Sequence, residues 1–175
     1  MRKQSFRWAL AGGVAALALV AGGCSDSGPE TKTVTASDYK FEGVPKSVKA
    51  GSTLVLKNGS TKEVHEMVVA KLPDNEKRSA AELVALPEDQ IESLFQGPPA
   101  MVLITPPGGA PQITALGDGK LMEKGRYLVT CFIPTGADPA AYLAAAQASQ
   151  DGPPPDVAGG APHVANGMYA EITVT

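Results

Sequence analysis

Short runs of apolar and β-branched residues, separated by Gly, Pro and Asn, recur along most of this chain and predict strands. Thr33, Val34 and Thr35 lead into Asp38-Tyr39-Lys40-Phe41, where aromatic and charged residues alternate as in a half-buried strand. A short strand-like piece surrounds Val48 between Pro45 and Gly51, and Thr53 to Lys57 (TLVLK) forms another, stopped by the hairpin-turn signal Asn58-Gly59. His65 opens HEMVVA, which runs through Val68 and Val69 as a further strand. Strand character returns at Gln112 to Leu116, turns at Gly117-Asp118-Gly119, and passes through Leu121 to Gly125 into GRYLVTCFIP, whose Tyr127 to Thr130 deliver Cys131. Tyr169 to Thr175 closes the chain as a last strand. Several short strands punctuated in this way predict an all-β, antiparallel β-sandwich rather than a parallel sheet.

Two segments break the pattern. The first spans about 72–111: Ser79 to Ala85 and Pro87 to Phe95 have helical composition, with Pro87 and Glu88-Asp89 suited to a first turn, and Met101 to Ile104 is a short apolar piece enclosed by Pro- and Gly-rich runs. It reads as an insertion carrying two short helices. The second spans about 135–162: Pro139 to Gln150 has strong helix propensity, and Gly152 to Pro162 reads as a loop of restricted backbone.

The start of the chain changes the accounting. Arg2, Lys3 and Arg7 precede an apolar run from Trp8 to Val20, and Ala21-Gly22-Gly23 leads to Cys24. This reads as a lipoprotein export signal over 1–23, with lipid on Cys24 and residues 24–31 as a polar tether. An ordinary signal peptide or a membrane anchor is the alternative, and the run is short for a spanning helix. Its removal takes away three of the 15 basic residues and none of the 18 acidic ones, so the remaining 152 residues carry 12 basic groups against 18 acidic, a net of −6. They amount to one domain, 32–175, acidic and exported, with no expected affinity for nucleic acid. With Cys24 acylated, Cys131 is the one free thiol, which needs burial or ligation in an oxidising compartment.

Around that thiol lies the candidate chemistry. His163 and Met168 are separated by four residues that include Gly167, enough for a tight loop to turn both side chains toward one point, and the only other imidazole is His65. Taken singly, Cys131 is a small buried hydrophobe, His65 a surface residue and Met168 core. Taken together, a thiolate, two imidazoles and a thioether suit copper better than zinc, calcium or magnesium.

With G-x-Y-x-x-x-C at Gly125, Tyr127 and Cys131, H-x4-M at His163 and Met168, and His65 in HEMVV, the chain resembles the cupredoxins, the plastocyanin-like blue copper proteins, over roughly Lys32 to Thr175. The resemblance implies a Greek-key sandwich holding one type-1 copper ion, with His65, Cys131 and His163 in a trigonal plane and Met168 as the weak axial ligand. Two features depart from the family pattern: 31 residues separate Cys131 from His163 where a few are usual, and Glu66 stands where an Asn commonly tethers the Cys loop.

The function expected on these grounds is a lipid-anchored, extracytoplasmic carrier of single electrons between redox partner proteins, monomeric and not an enzyme. Copper storage or delivery and a metal-free interaction module are the alternatives; a Cys–His hydrolase lacks an orienting residue or oxyanion-hole motif. Because both ends of the 132–162 excursion are ligands, its helix is expected to lie over or beside the site, as a lid or docking surface rather than a solvent-exposed decoration.

Overall fold

The computed structural model describes residues 28–95, 97–149 and 156–175, so the expected export signal and Cys24 lie outside the described residues. No helix among the described residues is long and apolar enough to cross a membrane.

Among the described residues ten strands form two sheets. Strands β1 (Thr31–Ser37), β2 (Lys40–Glu42), β4 (Ser52–Asn58) and β8 (Lys120–Leu121) make a four-stranded sheet in the order β2-β1-β4-β8. Strands β3 (Ser47–Val48), β5 (His65–Lys71), β6 (Met101–Thr105), β7 (Ile113–Leu116), β9 (Gly125–Thr130) and β10 (Tyr169–Val174) make the second, in the order β3-β10-β9-β5-β6-β7. The strand alternation points Val34, Ala36, Leu54 and Leu56 of the first sheet and Met67, Val69, Met101, Leu103, Tyr127, Val129 and Ile172 of the second into one core cluster. This is the expected β-sandwich. Most ladders are antiparallel, but β1 pairs with β4, and β3 with β10, in parallel.

Three local readings need correction. The strand expected through Phe41 breaks at Asp38-Tyr39: β1 folds back on β2 with Ser37 opposite Lys40, and Tyr39 takes a left-handed backbone at φ 59°. A bulky aromatic carries no turn signal, which is why composition hides this hairpin. Asn58-Gly59 is no hairpin either, since it takes the chain from one sheet to the other. The Asn58 amide holds that corner by donating to the carbonyls of Glu63 and Thr105 at 2.9 and 3.0 Å. Finally, the excursion expected over 72–111 is narrower, because Met101–Thr105 pairs with β5 over five positions and belongs to the sheet. Strand β6 is buried at four of its five positions, so it shows none of the alternation by which half-buried strands are read.

The helices themselves appear where expected. Helix α1 (Ala80–Val84) starts at a capping box in which Ser79 and Glu82 satisfy each other's backbone N–H, and α2 (Glu88–Leu94) follows. Helix α3 (Pro139–Ser149) opens with Asp138 accepting the Ala141 N–H at 2.8 Å. Only Tyr142 of α3 is buried, and it lies in the main core.

Candidate metal centre

The candidate ligands sit at strand ends, or in the turn that leads into the last strand, at one pole of the sandwich. His65 is the first residue of β5, opposite Thr105 of β6. Cys131 follows the last residue of β9, and His163 opens a 3₁₀ turn, His163–Asn166. Gly167 ends that turn at φ 99°, a left-handed conformation that glycine adopts without steric cost, and the chain then enters β10.

The long excursion does not leave His163 loose, because its two stems are zipped together. His163 N–H donates to the Ile133 carbonyl at 2.9 Å, Val164 N–H to the Cys131 carbonyl at 2.8 Å, and beyond the Pro134–Pro162 bridge Thr135 donates both its N–H and its hydroxyl to the Ala161 carbonyl. A Cβ at Gly159 would run into Pro134, so only glycine lets the returning stem lie this close. The loop entropy is spent at these stems, and 31 intervening residues still fix Cys131 beside His163.

The donor atoms of His65, Cys131 and His163 all lie within 4.8 Å of one another, and all three side chains are fully buried. The Cys131 sulfur lies 3.3 Å from His163 Nδ1, and the two imidazole centroids are 4.9 Å apart. Neither nitrogen of His65 has a hydrogen-bond partner, and neither has His163 Nε2, which approaches a Glu63 carboxylate oxygen at 3.5 Å without bonding to it. A buried polar atom left unpaired costs about 1–3 kcal/mol, so three in one cluster mark a place built for something that binds them. One ion touching the sulfur and one nitrogen of each ring would take up part of that unmet capacity, and the donor set is that of a soft or borderline metal. Met168 is also fully buried at this pole: it accepts the Cys131 N–H at 3.3 Å and donates its own to His163 at 3.1 Å.

Burial controls the protonation of the metal-free cluster. It drives the Cys131 thiol well above the ordinary thiol range, with the Glu66 carboxyl adding to the effect. It pushes His65 down to about 4, helped by the neighbouring His163. His163 is lowered as well, again by burial, against the opposing pull of Glu63. At neutral pH the cluster therefore holds a protonated thiol and neutral rings, and a bound cation must displace the thiol proton.

Reading the ligands alone missed what surrounds them. Glu66 is buried with one carboxylate oxygen accepting the Phe132 N–H at 2.9 Å and the other the Tyr142 hydroxyl at 2.7 Å, while its own N–H points at the Cys131 sulfur at 3.5 Å. The Tyr39 ring meets His163 edge-on at 5.0 Å between centroids. Glu66 was legible as a departure from the family pattern; its partner on α3, 76 positions away, carried no signal.

No family model and no curated protein matches the chain. Among solved structures it is similar to dithionite-reduced auracyanin from the photosynthetic bacterium Roseiflexus castenholzii, at 20% identity and a TM-score of 0.45 over 85% of this chain and 99% of that one. It is also similar to auracyanin A, a "blue" copper protein of the green thermophilic photosynthetic bacterium Chloroflexus aurantiacus, at 17% identity and a TM-score of 0.41 over 85% of this chain and 100% of that one. A third similarity is to auracyanin B, at 18% identity and a TM-score of 0.34 over 86% of this chain and 91% of that one. The grouping of His65, Cys131 and His163 rests on this chain's own geometry.

Proposed function

We propose that this chain is a one-electron carrier built on a single type-1 copper ion, held by His65, Cys131 and His163 with Met168 as a weaker fourth ligand. The observation that carries the reading is the buried convergence of one thiol and two imidazoles, with three ring nitrogens left unpartnered. When bound, copper supplies reversible one-electron chemistry, since thiolate and thioether favour Cu(I) and imidazole serves both oxidation states.

The protein's part is to hold the donors in place and dry. Strand β5 fixes His65, the zipped stems fix Cys131 and His163, and the Glu66 N–H directs a weak hydrogen bond onto the sulfur. Full burial of all three side chains keeps water off the donor atoms, so little can rearrange when an electron arrives or leaves. Glu63 beside His163 Nε2 favours the ring orientation that turns Nδ1 toward Cys131. This closed arrangement suits a carrier better than a delivery protein, which must hand the ion over. We further place the carrier outside the cytoplasmic membrane, anchored by lipid at Cys24, on the support of the basic and apolar N-terminal sequence.

The test is the visible spectrum of the chain from Ser25 onward, reconstituted with Cu(II). An intense charge-transfer band should appear, vanish on reduction and return on oxidation. Cys131→Ser should abolish it with the sandwich intact, whereas Met168→Leu should keep the colour and move the reduction potential. Colourless, weakly bound Cu(II) in the native chain overturns the assignment.

A further inference from the structure

The contacts of Glu66 reach further than the ligand cluster. This carboxylate is 2% exposed, and its described partners are a peptide N–H and a phenol rather than a cation. A buried carboxylate is costly unless hydrogen bonds replace its lost hydration, so both oxygens depend on the groups they have. One is the peptide immediately after Cys131. The other is Tyr142, the single fully buried residue of α3, with Leu143 and Ala146 only partly buried beside it. The helix of the long excursion is therefore fastened to the fold chiefly through one ring, and the hydroxyl of that ring ends on the group that grips the Cys131 loop.

We propose that Tyr142 is a positioning residue for Cys131: its hydroxyl holds the Glu66 carboxylate in the rotamer that tethers Phe132, so the docking of α3 sets the placement of the sulfur. Glu66 meets the Cys131 loop at two points, its N–H on the sulfur and its carboxylate on the next peptide. A rotation of this side chain therefore moves the ligand's own backbone. In the position where a short amide would reach the Cys loop unaided, the longer carboxylate needs a second contact to fix its extra rotatable bond, and Tyr142 supplies it. The inference adds to the copper reading a residue that touches no ligand.

The test is Tyr142→Phe, which keeps the ring in the core and removes only the hydroxyl. In the metal-free protein the Phe132 amide should exchange with solvent faster, on the order of tenfold for the loss of one hydrogen bond, while Val129 within β9 is unchanged. In a Glu66→Ala background, adding Tyr142→Phe should have no further effect on Phe132, because the two residues act in series. In the copper-loaded protein the charge-transfer band should shift in Tyr142→Phe. It should stay in place in Leu143→Ala, which loosens the same helix without touching Glu66. Unchanged Phe132 exchange in metal-free Tyr142→Phe overturns the proposal, as does an equal band shift in Leu143→Ala. A native chain that takes up no copper overturns the proposed function instead, and the metal-free comparison still decides the role of Tyr142.

Discussion

The chain leaves its sandwich twice to form helices, and the two excursions are fastened in different ways. Between β5 and β6 the chain lays α1 and α2 against the second sheet, where Ala80 and Leu83 pack with Leu72 and Leu128 in a satellite cluster separate from the main core. Leu128 lies between Tyr127 and Val129, which face the main core, so the pleat places this cluster on the sheet's other face. Arg126 completes the fastening: its guanidinium grips both Glu171 oxygens at 2.7 Å and donates to the carbonyls of Glu76 and Arg78 at 2.8 Å. The second excursion instead sends Tyr142 into the main core and onto Glu66. Both segments look alike as sequence, Ala- and Leu-containing helices between Pro-rich flanks. One is a decoration that stabilises a sheet face, the other is wired to a ligand loop. What separates them is where the buried side chain of each helix ends.

Removing the second excursion should give the largest effect. Replacing Gly136 to Ala161 with a short Gly/Ser linker takes Tyr142, Leu143 and Ala146 off the core and strips one Glu66 oxygen of its partner. Loss of a buried aromatic alone costs about 3–5 kcal/mol, so the denaturant midpoint should fall markedly. Small redox reagents should also exchange electrons with the copper-loaded form at a different rate from the native protein. An unchanged midpoint, potential and exchange rate would reduce the excursion to added length.

The first excursion should respond differently to a cut at its centre. Leu83 is fully buried in the satellite cluster, and Leu83→Ala should cost about 3 kcal/mol, the middle of the range for such truncations. The visible band of the copper-loaded protein should stay where it is, because Leu83 packs against Leu128 on the face of β9 turned away from the main core that holds Cys131. A band shift comparable to that of Tyr142→Phe would erase the distinction between the two excursions.

These contrasts also show what the sequence could and could not disclose. The ligands were legible because chemistry restricts them: with two cysteines and two histidines in 175 residues, few arrangements exist, and His65, Cys131 and His163 do converge. The two-sheet fold was legible because Leu54 and Leu56 alternate with less buried neighbours and because Gly, Pro and Asn set the apolar runs apart. Strand β6 was misread because its burial on both faces erases that alternation. The turn at Tyr39 was hidden because its left-handed backbone is held by context rather than by residue type. Tyr142 was visible only as an aromatic on a predicted helix, since a contact across 76 positions leaves no local trace. Arg126 carried no signal in the sequence, yet it donates four hydrogen bonds to two segments.

Arg126 supplies the smallest effect and the cleanest separation in pH. The Arg126 hydrogen bonds hold the Glu171 carboxyl below its ordinary value of 4.5, against an opposing contribution from burial. A carboxyl depressed in the folded state binds fewer protons there than in the unfolded chain. Its stabilisation is therefore complete above the ordinary carboxylate range and is lost as pH falls through the depressed folded value. The pair is partly exposed, with about 30% of each side chain accessible, so screening keeps its worth modest. Adding the two carbonyls that lose a donor, Arg126→Ala should cost about 1–2 kcal/mol at pH 7. Because the substitution removes what depresses Glu171, the gap between native and variant proteins should narrow at pH 3, whatever the histidines do in both. Comparing metal-free unfolding midpoints of the two proteins at pH 7 and pH 3 reads this directly. Raising the salt concentration at pH 7 should narrow the gap in the same sense, by weakening the ion pair without breaking the carbonyl bonds. A gap that stays constant between the two pH values would assign the whole effect to the Glu76 and Arg78 carbonyls. The copper band, at the other end of β9, should be indifferent throughout. If it moved, the satellite face would also be coupled to the ligand loop, with β9 itself as the connection.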